Sequence, residues 1–217
     1  MGLNINGTTG ISGVDGSVSA PALTGTDSNT GITFPSADTI KFSTGGVERM
    51  AITNSGVSGI TAGITMSDQW RLTTTYNIPN ASDTYITSNW ERADSDGFGQ
   101  LGTGMTESSG EFTFPSTGIY LITWHVDAYA SSGALPRGMN RIYTTTDGSN
   151  YGWAANANCS MASGNYSTVS ALFQFDVTNT STHKVKFLVY YQAASVQMVG
   201  NTNVNQTYAT FTRLGDT

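Results

Sequence analysis

A chain of 217 residues has room for one medium domain with an appendage. Only 11% of its residues are charged, against roughly 25% in an ordinary soluble domain, so Ser, Thr, Asn and Gly supply the polarity and favour strands and turns over long helices. With 9 basic and 15 acidic residues, a net charge of −6 and no run of Lys or Arg, nucleic acid and anionic lipid are excluded as partners, because both need clustered cations.

The 10 Tyr, 9 Phe and 4 Trp are too many for a disordered chain. No apolar stretch is long enough to cross a membrane, so no membrane insertion is expected. The lone Cys159 excludes an internal disulfide and reads as a small core residue, in keeping with assembly in a reducing host cytoplasm. The run Met1-Gly2-Leu3-Asn4-Ile5-Asn6 has neither the basic nor the apolar part of a signal peptide.

Residues 1–62 form the first predicted segment. They hold no Trp, Tyr or Cys, and a near-repeat brackets them: Gly10-Ile11-Ser12-Gly13-Val14 and Gly56-Val57-Ser58-Gly59-Ile60. Between lie short alternating pieces, Ile32 with Phe34, Ile40 with Phe42 and Met50 with Ile52, each followed by turn residues. Such strands cannot bury their apolar faces alone. A flexible linker is one reading. A short β-rich trimeric stem, with several chains around one axis, is the other and is preferred, because Phe34, Phe42 and Met50 would otherwise stay wet.

The run from Gly25-Thr26-Asp27-Ser28-Asn29-Thr30-Gly31-Ile32 through Phe34-Pro35-Ser36-Ala37-Asp38-Thr39-Ile40 to Phe42-Ser43-Thr44-Gly45-Gly46-Val47-Glu48-Arg49-Met50 resembles a segment recurrent in marine phage fibre and virion structural proteins.

Residues 63–217 form the second predicted unit. Strands are expected over 69–76, 110–114, 119–128, 139–145, 151–158, 168–177, 184–191 and 208–214, with Asp96-Gly97 and Asp147-Gly148 as turns. Eight strands with turn signals between them predict an all-β sandwich or barrel. Tyr120, Ile122, Trp124, Val126 and Ala128 share one strand face. Val169, Ala171, Phe173, Phe175 and Val177 share another. That period of two marks a strand with one side in a core. In 184–191 the second face begins with Lys184 and Lys186 and ends with Leu188 and Tyr190. Its apolar end is expected in a subunit interface.

Gly110-Glu111-Phe112-Thr113-Phe114-Pro115 followed by Gly118-Ile119-Tyr120-Leu121-Ile122-Thr123-Trp124 resembles the turn and strand of C1q-like domains. The closing Tyr208-Ala209-Thr210-Phe211-Thr212-Arg213-Leu214 is similar to that family's last strand. The resemblance implies a C1q/TNF-like jelly roll working as a homotrimer, with aromatic and aliphatic residues along the axis. Tyr190, Tyr208 and Phe211 are the candidates, with Trp70 beneath and Leu188 beside them. No collagen-like repeat precedes the domain, and residues 130–165 do not follow the family pattern.

Chemistry-bearing residues are sparse. His125 sits two residues before Asp127, with Ser131 and Ser132 beyond, and His183 is the other histidine. A strand neighbour does not make a nucleophile–base relay, and no catalytic site is expected. Glu91, Asp94 and Asp96 around Ser95 and Gly97 could supply oxygens to Ca²⁺, or simply form a solvated turn, since the calcium-loop pattern is missing. Asn150, Tyr151 and Trp153 combine aromatics with an amide after a turn. They are the candidate receptor site through stacking and hydrogen bonding to sugar, unless Trp153 belongs to the core.

These expectations describe a non-enzymatic, homotrimeric virion fibre or appendage. It would join other virion structural proteins through residues 1–62 and present a knob to host-surface glycan or protein. A capsid head fibre or decoration protein without a receptor role, a glycan-degrading tailspike and a bacterial C1q-like adhesin remain alternatives.

Overall fold

The computed structural model describes residues 4–6, 10–12, 15–59, 63–192 and 195–217. The regular structure of these residues is all β, and the chain divides into two compact units, Met1–Ala62 and Gly63–Thr217.

The first unit has short strands: β1 (Asn4–Asn6), β2 (Gly10–Ser12), β3 (Gly16–Ser17), β4 (Ala20–Pro21), β5 (Leu23–Thr24), β6 (Gly31–Thr33), β7 (Ile40–Thr44), β8 (Val47–Thr53) and β9 (Gly56–Ser58). β5 to β9 form one antiparallel meander. Its register aligns Leu23, Ile32, Phe42 and Met50 in one row and Ile40, Ile52 and Val57 in the next. Opposed residues share a face, so the large apolar side chains lie together. Their face is the bare one: Leu23, Ile40, Ile52 and Val57 are exposed, whereas Thr33, Ser43 and Ala51 are buried. The sheet is thus inside out, covering its small residues and leaving its greasy ones wet.

The second unit has thirteen strands: β10 (Met66–Leu72), β11 (Thr74–Ile78), β12 (Thr84–Tyr85), β13 (Trp90–Arg92), β14 (Thr106–Ser108), β15 (Glu111–Thr113), β16 (Gly118–Ala130), β17 (Leu135–Thr145), β18 (Gly152–Met161), β19 (Tyr166–Val177), β20 (Lys184–Tyr191), β21 (Val196–Asn201) and β22 (Tyr208–Gly215). They make two sheets. One runs β11-β21-β16-β22-β10-β13, with β19 along the other edge of β16; the other runs β14-β15-β20-β17-β18, with β12 continuing the β15 edge of β20.

The alternation read in β16 and β19 is the packing of the core. Tyr120, Ile122, Trp124 and Val126 are fully buried, and Ala171, Phe175 and Val177 face them across the ladder. From the opposite sheet come Phe112, Val185, Phe187, Val189 and Tyr191. Trp124 stacks on Phe187 at 4.8 Å, and Phe112 meets Trp90 edge-on at 5.0 Å.

The entry to β16 is fixed by Gly118, with φ of +144°. A Cβ there would collide with the Arg213 side chain and the Gly215 carbonyl, so no other residue fits. The Tyr120 hydroxyl donates to the Ser116 carbonyl at 3.0 Å and closes the preceding turn.

Two strand expectations change. The strand expected over 69–76 is two strands, because Leu72 N–H donates to the Thr207 carbonyl and Thr73 N–H to the Asn89 carbonyl, and the chain then leaves β22 for β21. At the apolar end of β20, Leu188 is covered by its own chain: it lies between Tyr85 of β12 and Arg141 of β17 and is 2% exposed, whereas Tyr190 stays half-buried.

Candidate functional site

The turn at Asp147 sets the geometry of the candidate receptor residues. Asn150 donates to the Asp147 carboxylate through both its side-chain amide (2.7 Å) and its backbone N–H (2.8 Å); Ser149 N–H adds a third donor. These donors, with the Thr145 hydroxyl, hold the Asp147 carboxyl below the usual range. Asn150 is therefore a turn-former whose amide is already engaged.

Tyr151 leaves this turn onto the outer face of the β14–β18 sheet. Its hydroxyl donates to Glu111 Oε2 at 2.6 Å, and Lys186 Nζ lies 4.2 Å from the centre of its ring. Burial works to raise the Glu111 carboxyl, but donors from Lys184, Tyr151 and Lys186 outweigh it and hold the group at about 2. Burial, then the bond to Glu111, pushes the Tyr151 hydroxyl up.

Trp153 is 55% exposed and is not a core residue. Its register partner is Tyr143, and Arg141 pairs with Asn156 on the same two strands. The Arg141 guanidinium lies 4.2 Å from the centre of the indole. Only 7% of Arg141 is exposed; it donates to Asp83 Oδ1 at 3.1 Å and to Met139 Sδ at 2.9 Å. Tyr85 meets Tyr143 edge-on at 5.6 Å. Beside them a cavity of about 210 Å³ is lined by Tyr85, Thr87, Ser109, Gly110, Tyr151 and Lys186. The structure thus brings Tyr151 and Trp153 onto one face. It adds Tyr85, Tyr143, Arg141 and Lys186, which the loop motif alone did not reveal. The alternation of Arg141 and Tyr143 in β17 was the available signal.

On the outer face of the other sheet, one row crosses five strands: Ser170, His125, Tyr208, Arg71 and Glu91. His125 stacks on Tyr208 at 4.8 Å and shares a hydrogen bond with Ser170 Oγ at 2.8 Å through Nδ1. Burial depresses the His125 imidazole despite the nearby Asp127 carboxylate. Among the described residues no carboxylate hydrogen-bonds the ring, and the serine sits on the nitrogen a relay would give to the acid. His183 is buried, stacked on Phe175 and hydrogen-bonded to Thr178 and Thr182.

The acidic loop, weighed between a calcium site and a solvated turn, holds an arginine against two of its carboxylates. Arg71, 1% exposed, pairs with Glu91 Oε1 and Asp94 Oδ1, both at 2.6 Å, and donates to Ser95 Oγ. Burial works to raise the Glu91 carboxyl, but Arg71 and Thr202 lower it further than burial raises it. Asp96 stands apart at a left-handed turn with Gly97. Among the described residues, no three His, Cys, Asp or Glu side chains converge as metal ligands.

The residues expected along a threefold axis do not share a surface. Phe211 is wholly buried and pairs with Ile122 inside the sandwich. Trp70 packs on Phe112 and donates to Asp68. Leu188 and Tyr190 belong to the opposite sheet, where Leu188 is buried. Tyr208 alone lies on the outer face of the β16–β22 sheet. Its companions there are His125, Thr123, Thr210, Leu121 and the exposed Leu172.

No family model and no curated protein sequence matches the chain. Among solved structures, murine APRIL at pH 5.0 is 13% identical with a TM-score of 0.51, covering 69% of this chain and 98% of that one. Eiger TNF from S. frugiperda is 10% identical with a TM-score of 0.49, covering 72% and 96%. PRD1 vertex protein P5 is 18% identical with a TM-score of 0.43, covering 71% and 100%. At these identities the likeness concerns the fold, and the fold class is plain: all-β, with a TNF-like jelly roll.

Proposed function

We propose that this chain is a homotrimeric virion fibre or appendage protein. Residues 1–62 attach it to other virion structural proteins and associate with their own copies, and residues 63–217 form the knob that meets the host surface. The observation that carries the reading is the inside-out sheet of the first unit. Leu23, Ile40, Ile52 and Val57 lie bare on one face, with Ile32, Phe42 and Met50 only half covered. At roughly 1 kcal/mol for each half-exposed aliphatic side chain still to be buried, covering this row is worth on the order of 5 kcal/mol. Copies of one chain supply such a cover at no cost in specificity, since the same face meets itself around an axis.

Support comes also from the outer face of the β16–β22 sheet, where Leu172 is 57% exposed among threonines and aromatic rings. The uncharged residues next to it, Thr123, Thr210 and Leu121, suit packing against a second copy. The resemblance of residues 25–50 to phage fibre segments supplies the virion context.

Antibodies raised against residues 63–217 test the reading. On intact phage particles they are expected to label fixed, symmetric positions and to block adsorption to host cells. Unlabelled particles overturn the virion assignment. Labelled particles that still adsorb remove the receptor role.

A further inference from the structure

We infer that the outer face of the β14–β18 sheet binds a saccharide, with the Trp153 indole as its stacking platform. The inference rests on the host-recognition reading for its biological use, while its chemistry stands on the site itself. More than half of Trp153 is exposed. Because Arg141 covers one side of the ring at 4.2 Å, the indole is braced and its other side is free. A pyranose offers one face of C–H groups and a rim of hydroxyls. The free indole side suits the first, by the pairing of apolar body and polar rim that makes Trp and Tyr interface residues.

The rim has partners in place. Asp83 is exposed beside Arg141, Tyr85 is exposed beside Tyr143, and Asn156 lies across from Arg141.

Size selects the ligand class. The platform is one ring and a neighbouring cavity of about 210 Å³. That matches one or two sugar rings. Three such weak sites on one trimer would reach useful strength by avidity.

Affinity electrophoresis of the full chain through native gels containing dextran, mannan or galactan tests this. The chain is expected to be retarded in at least one gel. Trp153→Ala and Tyr85→Ala should lose that retardation, the first by about thirtyfold as for a buried tryptophan anchor. Val204→Ala, at an exposed position elsewhere, should keep it. Because Trp153 is exposed, its variant is expected to keep the wild-type circular dichroism spectrum. No retardation of the wild type in any gel, or full retardation of Trp153→Ala, overturns the inference. Host-cell binding by the same proteins separates the two readings. Cell binding that survives Trp153→Ala leaves host recognition standing and removes this site from it. Saccharide retention without cell binding does the reverse.

Discussion

Glu111 gives the most quantitative prediction. Its carboxylate takes Lys184 at 2.5 Å, Lys186 at 3.2 Å and the Tyr151 hydroxyl at 2.6 Å. Its pKa falls from an ordinary 4.5 to about 2. A carboxyl held lower in the folded state than in the unfolded one stabilises the fold above the unfolded value and loses that contribution as pH falls through the folded value. The window therefore runs from 4.5 down to about 2. At 1.36 kcal/mol for each pH unit the full effect is about 3 kcal/mol. The side chain is 26% exposed, so solvent screening leaves about 1–2 kcal/mol. Urea unfolding of the wild type and Glu111→Gln, at one fixed protein concentration, reads this difference across pH. The wild type should be the more stable by that amount at neutral pH, and the gap should close towards about pH 2. High salt should narrow it further. An equal gap at both ends of the range, or none at neutral pH, refutes the reasoning.

Three further perturbations probe the core and the loops. Trp124→Ala removes a fully buried ring stacked on Phe187 and should cost about 3–5 kcal/mol in denaturant unfolding; a cost under about 1 kcal/mol would mean the ring is not packed as described. Asp68→Ala strands the Trp70 indole N–H, the Arg92 guanidinium and the Met105 N–H, which all donate to that buried carboxylate. A loss of about 3–5 kcal/mol is expected by the same measurement, as for breaking a buried pair. Adding calcium should leave the melting temperature unchanged, because Arg71 already occupies Glu91 and Asp94; a rise of several degrees contradicts that account.

The sandwich was legible in the sequence because its longest strands alternate without interruption. Tyr120 to Ala128 and Val169 to Val177 state their own burial, and the ladder between them follows. Face assignment between sheets was not legible. Tyr208 and Phe211 stand three residues apart, and a strand cannot aim both at one axis; parity alone separates the outer Tyr208 from the inner Phe211. Leu188 shows the opposite limit. Its parity is right for an outer face, and only the short segment at Tyr85, too brief to show a period, reveals that the chain covers it. The partner of the acidic loop was hidden for a similar reason: its cation is Arg71, 20 residues before Glu91, a separation no local motif contains. In the receptor loop, Tyr151 and Trp153 were visible as a pair. The bulge between Ile142 and Tyr143, which places Trp153 opposite Tyr143 on the Arg141 face, was not.

Sedimentation velocity of the full chain at about 10 µM tests self-association most directly. The account predicts a single species near three times the 22.9 kDa chain mass, converted to smaller, less stable species by Ile52→Lys in the bare row or Leu172→Asp on the β16–β22 face. A well-folded monomer at that concentration, indifferent to both substitutions, contradicts it.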